Sequence, residues 1–225
     1  MSEEKNYLNI VKHYEDCLEK HGDTHLGVDW PNVDDVNKRY QVMLELIKYG
    51  NDANTTVSLL DFGCGAAHII PFIEQNGLDK IRYSGLDVSD KFIELCKEKY
   101  PDKDFYCLDI LEDNDNLPVF DYIVMNGVFT EKRALNFDEM LEYFEKMITA
   151  VFKKAGKGIA FNVMSKHVDW EREDLFHLPF DTLASFIQKN LSRNFIIRND
   201  YGLYEYTVYI YRDAKISTPL SQINN

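Results

Sequence analysis

Apolar residues in this chain recur with two different periods, and the period changes from one segment to the next. Over residues 5 to 20, Tyr7, Leu8, Ile10, Val11, Tyr14 and Leu18 return every three or four positions among charges, which predicts an amphipathic helix. Val33, Val36, Tyr40, Met43, Leu44 and Ile47 repeat that spacing after Pro31 and Asn32, so a second helix is expected to run to Tyr49 with Gly50 as its stop. From Val57 onward the character changes. Short apolar runs at Val57 to Leu60, Ile81 to Leu86, Phe105 to Leu108, Phe120 to Met125 and Gly158 to Met164 read as buried strands.

Helical stretches separate these runs. One begins near Ile70, unless Pro71 distorts its first turn, and a second spans 89 to 100 with Ser89 as cap and Pro101 as stop. A third, over 137 to 153, carries Asn136 and Glu139 as a cap pair and an apolar stripe through Met140, Phe144, Met147 and Val151. A helix from Asp181 to Leu191 then leads into Phe195 to Asn199 and, past the turn at Asp200-Tyr201-Gly202, Tyr204 to Arg212. Two runs joined by a glycine turn form a closing hairpin, so the last strand should enter antiparallel. Alternating strand and helix predicts an α/β fold, a mostly parallel sheet with helices on both faces. Residues 1–50 are expected as an N-terminal helical cap of the same domain, 51–215 as the core unit, and 216–225 as a loose tail.

Composition narrows the picture. At 225 residues, 45% hydrophobic and 28% charged, the chain suits one soluble domain. No apolar run approaches the ~20 residues a membrane helix needs, and the start, Met-Ser-Glu-Glu-Lys-Asn, has no signal-peptide core, so a cytoplasmic protein without a membrane partner is expected. A net charge of -13 argues against nucleic acid, whose binders concentrate cations on one face. Cys17, Cys64, Cys96 and Cys107 show no Cys-x-x-Cys spacing, so neither zinc nor disulfides are expected. His21 and His25 lie four apart, but Gly22 and Gly27 argue against a continuous helix there. No metal is expected, and the His21 to Pro31 segment reads as a structured cap over the active site. The acidic stretch Asp109 to Asp115 reads as a solvated loop.

The chemistry concentrates after the first strand, at Asp61-Phe62-Gly63-Cys64-Gly65-Ala66-Ala67. A Gly-x-Gly turn lets bare backbone approach a ligand, although alone it is often only a tight strand-to-helix turn. A dinucleotide fingerprint would place a third glycine at His68, so a nicotinamide cofactor is disfavoured. Asp87 ends the second strand-like run, where a carboxylate can accept from both ribose hydroxyls, and Asp109 ends the third. In these spaced features, from Val57 to Arg212, the sequence resembles the class I S-adenosylmethionine (SAM)-dependent methyltransferases. The resemblance implies a seven-stranded sheet, SAM as cofactor and S-adenosylhomocysteine (SAH) as product. It implies that Gly63 and Gly65, in the pattern opened by Asp61, face the methionine portion. Asp87 with the adjoining Val88 would hold the ribose, and Asp109 with the backbone of Ile110 the adenine. It also implies a cation for the cofactor carboxylate, with Arg39 as the candidate. Ala67 departs from the pattern where the family often has a third glycine.

Ligands of open parallel sheets lie beyond the strands' carboxyl ends, which puts Asn126 and Gly127 beside the methyl donor. Asn126-Gly127-Val128-Phe129 lacks the paired prolines that methyltransferases of DNA bases and protein glutamine carry there, which makes those substrates less expected. Ser165 to Pro179 should overhang the pocket, and His167, then His177 and Glu131, are the candidates for a general base. Tyr14, Trp30, Lys132, Arg133, Trp170 and Arg172 are candidates for holding substrate, with Arg39 and Lys166 as further cations for an anionic group. Tyr201, Tyr204, Tyr206, Tyr209 and Tyr211 suit sheet packing better than a substrate wall. The segments around Trp30 and Trp170 look like those of small bacterial methyltransferases encoded among surface-polysaccharide genes. That likeness implies O-methylation of a small polar acceptor, a sugar, nucleotide-linked or phosphoramidate-type capsule precursor. A small-amine N-methyltransferase and a non-catalytic SAM-binding regulatory or assembly subunit are the alternatives. The oligomeric state stays open.

Overall fold

A computed structural model describes residues 7–50 and 52–213. Residues 5 and 6 of the predicted N-terminal helix and the tail expected over 216–225 lie outside the described residues. Seven strands form one sheet: β1 (Val57–Phe62), β2 (Ile81–Asp87), β3 (Asp104–Cys107), β4 (Phe120–Phe129), β5 (Ala155–Met164), β6 (Asn194–Arg198) and β7 (Glu205–Tyr211). Their order is β3-β2-β1-β4-β5-β7-β6, with β7 inserted antiparallel between β5 and β6. The pairings of β1 with β2 and β4, of β2 with β3, and of β4 with β5 are parallel. This is the expected mixed sheet of a Rossmann-like methyltransferase fold.

The two-residue pleat sorts each strand's side chains to opposite faces. Leu60, Ile123, Met125, Ile159 and Phe161 face one core, filled by α5 (Phe137–Lys154) and α6 (Phe180–Asn190) through residues such as Phe144, Ile148 and Ile187. Leu59, Tyr122 and Val124 face the other, covered by α2 (Val33–Tyr49), α3 (Ile69–Gln75) and α4 (Asp90–Lys99). Of the first 50 residues, α1 (Leu8–His21) and a short 3-10 turn (His25–Val28) lie over the strand ends, whereas α2 is a layer helix packed on β4, β5 and β7. Asn136 and Glu139 close a reciprocal capping box on α5, each side chain accepting from the other's backbone N–H.

Of three boundaries in question, the start of α3 agrees with the sequence pattern and two in the sheet differ from it. Pro71 occupies the first turn of α3, where its missing N–H costs no helical bond. β4 continues past Met125 to Phe129 through a bulge, and β5 begins at Ala155, three residues before the apolar run. Tyr206, Tyr209 and Tyr211 are buried, and their hydroxyls donate to the carbonyls of Leu178, Val42 and Leu46 in turn. They are packing residues, and Tyr204 is exposed.

Candidate functional site

The strand order reverses between β1 and β4, and an open α/β sheet leaves a crevice at that point beyond the carboxyl ends of its strands. A cleft lies there, with about 160 Å³ of enclosed space. Its floor is the ends of four strands: Asp61 to Gly65, Asp87 to Ser89, Leu108 to Ile110, and Asn126 to Val128. Tyr7, just ahead of α1, and Ile10, Val11 and Tyr14 of α1 roof it, with Val28 and Trp30 beside them and Tyr143 and Met147 of α5 also in its wall.

The glycine loop is held by backbone bonds. Gly63 N and Cys64 N both donate to Leu86 O at 2.8 and 2.9 Å, and Gly63 has φ +71°. A Cβ on Gly63 would come within 2.7 Å of Val128 Cγ2, so this position needs glycine for both conformation and space. Asp87 braces the same loop: its Oδ2 accepts from Gly65 N and its Oδ1 from Ser89 N, both at 3.0 Å. Burial raises the Asp87 carboxyl above the ordinary carboxylate range, opposed by the N–H groups of Ser89, Gly65 and Val88. Asp109 accepts from the Tyr7 hydroxyl at 2.5 Å and from Leu111 N at 3.0 Å. Asp61 is fully enclosed beside the Tyr83 hydroxyl, 3.1 Å away, and desolvation pushes its carboxyl up to about 7.

Clamps between the cap and the sheet frame the cavity. Ser89 Oγ donates to Glu15 at 2.6 Å, and Lys91 pairs with Glu15 and Glu19. Asp23 pairs with His68 at 2.7 Å and with Lys99 at 2.8 Å, and Lys99 also donates to Ala66 O. At the other end, Arg133 binds Glu131 at 2.5 Å, Asp29 at 3.3 Å and His13, and His13 reaches Asp29 at 2.8 Å. His13, Cys17 and Asp29 thus bring a nitrogen, a sulfur and an oxygen together. The Arg133 guanidinium sits on the same imidazole and carboxylate, so the positive charge these groups call for is already supplied by the protein.

Nine of the ten residues expected to hold cofactor line this cavity: Asp61, Gly63, Gly65, Asp87, Val88, Asp109, Ile110, Asn126 and Gly127. Arg39 does not; its guanidinium forks onto Glu205, with Nε at 3.0 and 2.9 Å from the two carboxylate oxygens. Tyr14 and Trp30 line the cavity, while Lys132, Arg133, Trp170 and Arg172 lie outside it. Lys132 donates to Leu135 O, Arg172 is paired with Asp174, Lys166 with Glu171, and Trp170 is 70% exposed.

None of the three base candidates reaches the cavity lining. His177 is buried with both ring nitrogens used: Nδ1 donates to Ser165 O at 2.6 Å and Nε2 accepts from Arg172 N. His167 packs its ring on Phe180, with centroids 5.0 Å apart. Glu131 is held by Arg133, and burial raises its carboxyl against that pull. Tyr14 lines the cavity, and burial with Glu131 and Asp29 close by pushes its hydroxyl upward. Among the described residues, the lining carries the carboxylates of Asp61, Asp87 and Asp109 and the His68 imidazole, which is turned to Asp23, and neither lysine nor arginine.

Residues 60–154 match the family profile described as a methyltransferase domain. The match gives residues 60–154 the character of a methyltransferase domain, and the sheet and cavity around them agree with that similarity. Rv1506c of Mycobacterium tuberculosis H37Rv, by name a methyltransferase, is 24% identical over 158 residues, 68% of this chain and 92% of that protein. Magnesium protoporphyrin IX methyltransferase (ChlM) of Synechocystis PCC 6803, solved with SAM, superposes with a TM-score of 0.63 at 13% identity, over 95% of this chain and 100% of that one. A SAM-dependent methyltransferase of Clostridium acetobutylicum ATCC 824 gives 0.54 at 13% identity, over 91% of this chain and 98% of that one. At these identities the solved structures establish the fold and assign no substrate. No helix among the described residues is long and apolar enough to cross a membrane.

Proposed function

We propose that the protein methylates a hydroxyl of a small polar acceptor, a sugar-type precursor of a bacterial capsule or surface polysaccharide, in the cytoplasm. The reaction is an in-line displacement in which the acceptor oxygen attacks the sulfonium methyl, the sulfur–methyl bond breaks so that SAH departs, and the acceptor's proton passes to water. In this reading SAM spans the floor, with its methionine portion over Gly63 and Gly65, its ribose on Asp87 and Val88, and its adenine by Asp109 and Ile110. The observation that carries it is the cavity itself. It lies at the strands' carboxyl ends over the glycine loop, Asp87 and Asp109, and Tyr7, Ile10, Val11, Tyr14 and Trp30 close around it, which supports a small acceptor over a macromolecule.

The lining supports an uncharged acceptor over the nucleotide-linked and phosphoramidate forms, because each cation expected to receive an anion is engaged elsewhere. Asn126 supports a polar ligand: its side-chain oxygen and nitrogen are both buried in the cavity wall without a partner among the described residues. A ligand that donates and accepts at once satisfies both atoms; the amino-acid head of SAM does so, as does an acceptor hydroxyl. A second reading, N-methylation of a small amine, draws on the three lining carboxylates, which favour a cation.

Purified protein incubated with methyl-labelled SAM and separate panels of free sugars, nucleotide sugars, phosphoramidates and small amines tests these readings. Label on a neutral sugar is the expected result, and label only on an amine selects the second reading. Transfer confined to protein or lipid would sink both, and SAM binding without turnover on any extract would identify a regulatory subunit.

A further inference from the structure

Arg39 is drawn away from the cavity by a carboxylate that also holds the opposite wall. Glu205, the first residue of β7, is only 3% exposed. On one side its two oxygens take the Arg39 fork, and the Arg39 guanidinium lies over the Trp30 indole, 5.4 Å from the ring centroid. On the other side its Oε1 accepts from Asn162 Nδ2 at 2.9 Å, and Asn162 Oδ1 accepts from Gly127 N at 2.8 Å. Gly127, at φ +83°, is the bulge residue of β4 that follows Asn126, and its Cα faces the Trp30 indole, so that a Cβ there would stand 3.5 Å from the ring. The contacts run from Trp30 through Arg39, Glu205 and Asn162 to Gly127, whose bare face turns back toward the indole.

Each member suits its place. A planar guanidinium can stack on an indole and fork onto a carboxylate at once, which lysine cannot do. Asn162, fully buried in the middle of β5, relays one carboxylate oxygen to a backbone N–H that the bulge leaves without a strand partner. Trp30 and Gly127 both line the cavity, while Glu205 and Asn162 do not. We propose that Glu205 is a positioning residue for methyl transfer, fixing the Trp30 roof through Arg39 and the Asn126–Gly127 wall through Asn162, so that one buried carboxylate sets the width of the cleft. The proposal rests on the cavity being the SAM site and extends it to residues that touch no ligand.

The sequence has two tryptophans, and the exposed one is replaced by Trp170→Phe, leaving Trp30 as the sole indole reporter. In that background, acrylamide quenching of Trp30, SAH affinity by calorimetry and Tm are compared for Glu205→Gln, Arg39→Gln and a control. The control is Asp52→Asn, which weakens the contact to the Tyr122 hydroxyl near the amino-terminal end of β4, far from the cavity. Glu205→Gln should expose Trp30 to the quencher and weaken SAH binding about tenfold, the equivalent of ~1.4 kcal/mol. Arg39→Gln should raise quenching similarly with a smaller loss of affinity, since the Asn162 relay remains, and it carries the test if Glu205→Gln does not fold. The control should lower Tm alone. Quenching and affinity that follow the control in both variants would overturn the positioning role. A parent protein that binds no SAH would instead overturn the assignment of the cavity.

Discussion

Asp61 offers the sharpest test of the site, because it lines the cavity and burial already holds its carboxyl near neutrality. Its carboxyl is enclosed with one hydroxyl partner, Tyr83, and a like charge at Asp87, and burial lifts it from the ordinary 3.8 to about 7. The folded protein therefore binds a proton more tightly at this group than the unfolded chain does. Its contribution to stability is fully present below pH ~4 and is lost as pH rises through about 7. The gap is about three pH units at ~1.4 kcal/mol each, which costs the ligand-free fold about 4 kcal/mol at alkaline pH.

SAM carries a net positive charge and SAH does not, so SAM favours the ionised carboxylate and SAH is nearly indifferent. Between pH 8 and pH 6 the ionised fraction falls about tenfold, and SAM affinity should fall by up to the same factor, about 1.4 kcal/mol. Calorimetry near pH 7 in two buffers of different ionisation heat should show proton release with SAM and little with SAH. Asp61→Asn should remove both the release and the pH dependence of SAM binding, and should raise the Tm of the ligand-free protein at pH 8 relative to pH 5. Heats that do not depend on buffer, or SAM affinity flat from pH 6 to 8 in the parent protein, would refute a titrating Asp61 at the cofactor.

Other residues yield narrower expectations. Asp87→Ala removes the acceptor of Gly65 N and Ser89 N together with any ribose contact; two charged hydrogen bonds at roughly 1.5 kcal/mol each correspond to SAH binding about a hundredfold weaker by calorimetry. His167→Ala should leave turnover within about twofold of the parent, since its ring rests on Phe180 outside the cavity. His177→Ala strips the buried Ser165 carbonyl of its donor and should cost about 1–3 kcal/mol in chemical denaturation. Asn136→Ala breaks the capping box of α5 and should cost about 1 kcal/mol, read as a lower denaturation midpoint at unchanged slope.

The fold was legible where local signals and tertiary demands agree. The five parallel strands each carry an apolar run, and Asn136 with Glu139 marks the start of α5 before any contact is known. Pairing set the boundaries that were missed. Ala155, Gly156 and Lys157 have little strand preference, and they extend because Ala155 pairs with Phe120. β4 outruns its apolar stretch because the bulge at Gly127 lets it resume at Phe129. The cap clamps left less of a trace: Tyr7 shows in the sequence only as one more apolar position, yet its hydroxyl meets Asp109 across 102 residues.

Within the site, residues whose placement follows from being at a strand's end were legible, and residues defined by a distant partner were not. Gly63 and Asp109 follow strands, Asp87 ends one and Asn126 sits at the bulge near the end of another, so the sheet carries all four to one cavity. Arg39 and Arg133 looked like anion receptors because a sequence shows charge without showing pairing; Glu205 is 166 positions from one and His13 is 120 from the other. With those cations neutralised and none of the candidate bases in the lining, alignment is left as the main source of rate, for which ~7–11 kcal/mol is available, against the 10²–10⁴-fold a base supplies. Alignment depends on walls that do not give. That places the demand on the buried Glu205 contacts and the cap clamps rather than on any titrating group, and it makes turnover more sensitive to Glu205→Gln than to His167→Ala.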